Sequence, residues 1–214
     1  LEGLLTASDL PRVGSIDPWT PGAEIVVACD VDNPLLGRWG TATVYAPQKG
    51  ATAAAVEELE TWLAHWAQIT RGDPDAEWTG AAGGAAYGLH TVAGATLTSG
   101  ASLVIEKTGF ERALRSSDLL LLGEGRLDAQ TAHGKVIAEA ARRALTYARR
   151  SIAIVGSAQD EAAMLRDIDG GPLDRIVSLA ERFGAKRALR NPEGCLRAAA
   201  QMAVEEFVRS PPEL

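Results

Sequence analysis

Glu124, Arg126, Asp128, Gln130, Thr131 and Lys135 crowd one short stretch of this chain, interleaved with Gly123, Gly125 and Gly134. Both signs of charge are present. A loop that feeds a helix has free backbone N–H groups and the positive end of the helix dipole, so it can hold a phosphate or a carboxylate. The glycines let the backbone come close. Glu124 and Asp128 would repel a bare phosphate, which points to a hard cation such as Mg²⁺ between them, or to one of them taking a proton from a hydroxyl. Arg126 and Lys135 would offset charge on a transferred phosphoryl group. Carboxylate, cation and phosphate-facing donors together are the equipment of phosphoryl transfer. The competing reading is a solvated loop whose Asp and Arg pair with each other, worth little when exposed; spacing alone leans slightly to it. Standard nucleotide signatures do not decide the matter. A P-loop needs glycine where Ala129 stands and Ser or Thr where Val136 stands, and the dinucleotide fingerprint breaks at Arg126-Leu-Asp128.

Three further places carry polar groups of interest. Asp30, Asp32 and Asn33 follow an apolar run, Glu24 to Cys29, that reads as a buried strand. An aspartate-nucleophile signature and a calcium loop both fail at Pro34, and an Asx turn explains Asp30 or Asn33 equally well. Pro47-Gln48-Lys49-Gly50 is a short polar turn that presents Lys49 to an anion. The small residues from Gly80 to Gly100, with Gly83 and Gly84 among them, fit close helix packing, a phosphate-cradling loop, or both.

Positioning falls to a βαβ unit. Leu119 to Leu122 reads as a buried strand. Val136, Ile137, Ala140, Ala141, Ala144, Leu145 and Ala148 recur on one face of a helix, and Ile152 to Val155 supplies the second, parallel strand. Glu124, Arg126 and Asp128 are then expected on the loop between strand and helix, where ligands of open α/β sheets bind. The Arg142, Arg143, Arg149 and Arg150 cluster reads as that helix's solvated face. Earlier in the chain, Thr52 is expected to cap a helix running to about Ile69 on a stripe of Val56, Leu59, Leu63, Trp66 and Ile69. Trp62 and Trp66 are core or interface anchors and His65 a surface histidine. A helix or turn covers Leu103 to Leu114, Ile176 to Leu179 is a last strand, and Asn191-Pro192 opens a last amphipathic helix.

With 214 residues and 46% hydrophobic content the chain can build one large core or two small ones. A net charge of −7 disfavours nucleic acid, whose phosphates need a basic surface. Cys29 and Cys195 stand far apart, which points to a reducing, cytoplasmic setting without a cysteine metal cluster. No stretch approaches the ~20 apolar residues of a membrane span. An opening at Leu1, without a helix cap, suggests part of a larger protein. A shift in composition near Ser116 suggests a division into 1–115 and 116–214.

Four blocks in order resemble the type 1 glycerate kinase family: Ala28-Cys-Asp-Val-Asp-Asn-Pro-Leu-Leu-Gly37, Ala46-Pro-Gln-Lys-Gly-Ala51, Gly80-Ala-Ala-Gly-Gly84 and Gly123-Glu-Gly-Arg-Leu-Asp-Ala-Gln-Thr-Ala-His-Gly-Lys135. The family would have glycine where Ala46 stands, and residues 85–100 and 157–170 follow it loosely. The resemblance implies ATP-dependent, Mg²⁺-assisted phosphorylation of glycerate, with the 2-hydroxyl favoured. It also implies two α/β lobes around a cleft. Residues 1–115 would be the middle lobe, on the substrate side, and 116–214 the C-terminal part of a Rossmann- or flavodoxin-like lobe, incomplete relative to the family. Asp128 would be general base or magnesium-side carboxylate, Arg126 the clamp on carboxylate or phosphoryl, and Glu124 a further catalytic carboxylate. Asp30, Asn33, Gln48, Lys49, Gly83, Gly84, Gln130, Thr131 and Lys135 would bind substrate or nucleotide. A non-catalytic anion- or nucleotide-binding fragment, and a phosphatase or other small-acid kinase using Asp30 as nucleophile, remain the alternatives. The sequence is silent on oligomeric state.

Overall fold

A computed structural model describes residues 6–17, 19–127, 136–159 and 172–209. The chain divides into two compact units, Leu1–Leu103 and Val104–Leu214, earlier than the compositional shift at Ser116.

In the first unit, β1 (Val26–Cys29) and β2 (Thr96–Ser99) pair in parallel, Val26 opposite Thr96 and Cys29 opposite Ser99. A parallel pair needs a crossover, and three helices supply it: α1 (Thr41–Tyr45), α2 (Ala53–Thr70) and α3 (Ala81–Ala93). The expected cap is in place, since the Ala55 N–H donates to Thr52 Oγ1 at 3.3 Å. Leu63 and Ala67 on α2 are buried with Leu35, Ala42 and Tyr87, and Leu59 and Trp66 pack against them. Trp66 is thus an anchor of this core, as its spacing implied. His65 is half-buried, its Nε2 paired with the Val13 carbonyl at 2.9 Å. The surface-histidine reading missed this, because its partner is far away in sequence.

In the second unit, α4 (Gly100–Lys107, which begins just before the division) and α5 (Phe110–Arg115) replace the single segment expected there. Gly109, at φ +71°, makes the break. There follow β3 (Leu119–Leu127), α6 (Val136–Thr146), β4 (Arg150–Ala158), β5 (Arg175–Ser178), α7 (Leu179–Phe183), α8 (Ala185–Arg190) and α9 (Pro192–Arg209). The sheet order is β3-β4-β5, all parallel, so the α/β reading with a βαβ unit holds. Central β4 is buried from Ser151 to Val155. Ala153 and Val155 pack on one face with Ile137, Ala138 and Ala141 of α6. Ile152 and Ile154 pack on the other face with Val177, Cys195, Ala199 and Ala203. Burial on both faces is why this strand is a continuous apolar run instead of an alternating one.

Local readings shift in two places. Val136 and Leu145 are exposed and Ala138 is buried, so the apolar stripe of α6 is narrower than the pattern suggested. Of the arginine cluster only Arg142 and Arg143 lie on the helix. Arg143 is half-buried and bonds Glu111 at 2.6 Å and Glu139 at 2.9 Å, while Arg149 donates to the Arg115 carbonyl at 2.7 Å.

Candidate active site

The loop after β1 is laced to the segment before α3 by backbone hydrogen bonds. Trp78 N donates to Asp32 O at 3.1 Å and Gly80 N to Asn33 O at 2.8 Å, while Leu35 N donates to Pro74 O at 2.9 Å. The Leu35 N–H also reaches Thr79 Oγ1 at 2.9 Å, and the Thr79 hydroxyl donates to the Ala76 carbonyl at 2.6 Å. A side chain at Gly80 would run into the Asn33 and Pro34 carbonyls, so the close approach requires glycine. Just beyond, Ala82, Gly83 and Gly84 take left-handed angles, φ 52°, 73° and 91°, before the regular turns of α3 begin. The small-residue segment is therefore a tight left-handed turn leading into a helix.

Asn33 has both ends of its carboxamide engaged. Its Nδ2 donates to the Trp39 carbonyl at 2.8 Å, and its Oδ1 accepts from the Tyr45 hydroxyl at 2.6 Å. Asn33 thus ties the loop to α1 through Trp39 and Tyr45, and not through the Asx turn that its type suggested. Asp30 and Asp32 are exposed. Burial, and then the negative charges of Asp30 and Asp32, push the Tyr45 phenol above its ordinary value. Burial likewise raises the Cys29 thiol, with Asp30 adding to the effect and a Thr98 backbone hydrogen bond opposing it.

A cavity of about 620 Å³ opens within this unit, bounded by Thr41, Tyr45, Lys49, Gly83, Gly84 and an apolar wall of Leu59, Leu63 and Trp66. Of the residues singled out in the sequence, Lys49, Gly83 and Gly84 come together here. Asn33 is one hydrogen bond away through Tyr45, and Asp30 acts on the same phenol through its charge. Gln48 is exposed on the turn that carries Lys49 and does not line the cavity. Thr41, Tyr45 and Thr79 escaped sequence reasoning. The available signal was the helical spacing of Thr41 and Tyr45 directly ahead of the Pro47 turn.

In the second unit the structure corrects the placement of Glu124 and Arg126. Both lie within β3, not on a loop, because the ladder to β4 continues with Glu124 opposite Val155, Arg126 opposite Ser157 and Leu127 opposite Ala158. Gly125 and Gly156 make this continuation feasible: a Cβ on Gly156 would strike the Gly125 carbonyl. The glycines that read as a strand stop lie inside the strand, and the close backbone approach is at Gly156 across from them. Leu122 and Leu127 both pack on the core cluster that holds Val155, so strict two-residue alternation does not hold between them. Glu124 is half-buried, Arg126 exposed, and neither has an ion-pair partner among the described residues. Asp128, Gln130, Thr131 and Lys135 lie outside the described residues, and the magnesium assignment to Asp128 lies there with them. Among the described residues no group of three or more His, Cys, Asp or Glu is placed to hold a metal ion. Nor is any described helix long and apolar enough to cross a membrane.

The second unit carries charged groups near the carboxyl end of a parallel strand, and the first holds a cavity rimmed by a lysine and glycine backbone. The chain belongs to the glycerate kinase family, whose model matches residues 4–208. It is 40% identical over 184 residues to a glycerate kinase of Halalkalibacterium halodurans, covering 81% of this chain and 48% of that protein. It is 36% identical over 186 residues to the glycerate 2-kinase of Escherichia coli strain K12, covering 85% and 48%. Among solved structures it resembles a protein described as glycerate kinase 2 from Salmonella typhimurium LT2, with TM-score 0.57 and 34% identity over 86% of this chain and 50% of the other. The chain spans about half the length of the curated relatives it matches.

Proposed function

We propose that the protein to which this chain belongs transfers the γ-phosphoryl group of Mg-ATP to glycerate, with the 2-hydroxyl as acceptor. The observation that carries this reading is the meeting of Lys49, Gly83 and Gly84, drawn from separate sequence blocks, on one cavity of a chain in the glycerate kinase family. The 2-position is supported by the relative named glycerate 2-kinase.

In such a transfer the substrate hydroxyl oxygen attacks the γ-phosphorus, its proton passes to a carboxylate, and ADP leaves. The protein mainly supplies position and charge. Asp128 is assigned as that carboxylate, with Glu124 as the second acidic group. Arg126, with no ion-pair partner among the described residues, can offset negative charge on the phosphoryl oxygens or the substrate carboxylate. Lys49, exposed at the edge of its cavity, adds positive charge toward an anionic ligand. Mg²⁺ binds with one or two carboxylates plus phosphate oxygens and water. Glu124, half-buried and without an ion-pair partner among the described residues, is a second candidate for that role beside Asp128, and the ion would supply charge neutralisation at the phosphates.

The test is a phosphorylation assay on the whole protein with ATP, Mg²⁺ and glycerate, with the product identified by ³¹P NMR. 2-Phosphoglycerate is expected. Absence of glycerate-dependent ADP formation refutes the reaction, and 3-phosphoglycerate refutes the position. Calorimetry of this chain with Mg-ATP and with glycerate measures how much of the binding its own residues supply.

A further inference from the structure

The cavity of the first unit is poorly suited to glycerate alone. Ligand pockets for molecules of drug size run to roughly 300–1,000 Å³, and this one, at about 620 Å³, falls within that range. A three-carbon hydroxy acid would leave most of it empty. Glycerate has no apolar surface to lay against Leu59, Leu63 and Trp66, and its carboxylate and hydroxyls would lose water there without gaining partners. The wall calls for a ligand with apolar faces.

One polar group among its lining residues is unmatched. Thr41 is only 4% exposed, lines the cavity, and its Oγ1 has no hydrogen-bond partner among the described residues. A buried hydroxyl without a partner is costly to a fold and wants an explanation. It can donate and accept, so it matches a ligand edge that carries heteroatoms. The Tyr45 hydroxyl is already committed to Asn33. Lys49, by contrast, is exposed at the edge of the space, where its ammonium stays hydrated and can meet an anion. Between them the left-handed turn contributes Gly83, where a Cβ would find open space, so backbone without a side chain borders the cavity.

An apolar wall, one buried hydroxyl and a cation at the edge match a nucleotide. We infer that this cavity holds the nucleoside part of the phosphoryl donor. The base lies against Leu59, Leu63 and Trp66 with a heteroatom bonded to Thr41 Oγ1, and the phosphates lie toward Lys49. The inference deepens the kinase reading and rests on it in taking the ligand to be the donor nucleotide.

The experiment measures binding of adenosine, ADP, glycerate and hexanoate to this chain by tryptophan fluorescence and calorimetry, in the unaltered chain and two variants. Thr41→Val keeps the shape and removes the hydroxyl. It should leave the melting temperature unchanged or raised while weakening adenosine and ADP about tenfold, the loss of one hydrogen bond. Ala85→Phe starts from an exposed position on the cavity lining and should fill the space, abolishing adenosine binding with far-UV circular dichroism retained. No binding of adenosine or ADP to the unaltered chain overturns the inference. So does binding that neither variant changes, or binding of hexanoate in place of the nucleoside. Failure of the kinase reading is separate: it shows as absence of glycerate-dependent ADP formation in the whole protein even where adenosine binding and its loss in the variants are observed.

Discussion

The loop after β1 and the carboxyl end of β3 both present candidate site residues, yet different forces hold them. The first is a two-stranded fragment of sheet, and its loop is kept in place by hydrogen bonds that Trp78, Gly80 and Leu35 make across to it, with Asn33 bonded on both sides of its amide. The second sits on a three-stranded parallel sheet whose central strand is buried on both faces, and the neighbouring β3 carries a half-buried Glu124 and an exposed Arg126. Hydrogen bonds are directional and so define where a loop lies. Apolar burial is non-directional and supplies most of the stability. The first region relies mainly on the one and the second mainly on the other.

Four substitutions would break or sharpen this contrast. The largest effect is expected at Arg126: in the whole protein Arg126→Ala should lower kcat for glycerate phosphorylation by about 10³-fold if the guanidinium meets the transferred group, with little change in melting temperature because the residue is exposed. Normal turnover would remove it from the site. Next, Ile154→Ala in the doubly covered strand should cost roughly 2–5 kcal/mol in chemical denaturation, since Ile154 is 5% exposed and packs among Val177, Cys195 and Ala199. Thr79→Val, by comparison, should cost about 1–2 kcal/mol. The Leu35 N–H keeps its bond to the Pro74 carbonyl, and what is lost is one acceptor and one donor. If Thr79→Val proved the more damaging of the two, the assignment of stability to burial and of orientation to hydrogen bonds would be reversed.

The smallest effect concerns Tyr45. Its phenol is raised by burial first and by Asp30 and Asp32 second. A folded phenol that keeps its proton to higher pH than an unfolded one favours the fold. That contribution is whole below about pH 10 and declines as pH rises through the folded value. Asp30→Asn removes one of the causes, so the phenolate should form at lower pH in ultraviolet titration. No shift would mean that the Asp30 charge does not act on the Tyr45 phenol.

Much of this was legible from residues alone. Thr52 as a cap, the stripe through Leu63 and Trp66, and the run Ile152 to Val155 as a buried parallel strand all follow from local chemistry and period. Errors fell where glycine was read as a stop. Gly123 and Gly125 lie inside β3 because the ladder to β4 continues past them, and the position that cannot carry a side chain is Gly156, which faces the Gly125 carbonyl. The arginine cluster and His65 were misplaced because their partners, Glu111 and Val13, are distant in sequence. In the same way Thr41 gave no hint of a buried hydroxyl without a partner among the described residues.

Residue order alone carries the α/β class, the main strands and helices, and the family to which the blocks around Asp30, Lys49, Gly83 and Arg126 point. These rest on period, capping and residue chemistry, which act over a few positions. Only the tertiary structure decided that β3 reaches Leu127, that Asn33 is bound to Trp39 and Tyr45, and that Thr41, Lys49 and Gly83 border one cavity. Those facts depend on which distant segments come to lie within a hydrogen bond's reach of each other, and local propensity carries no record of that.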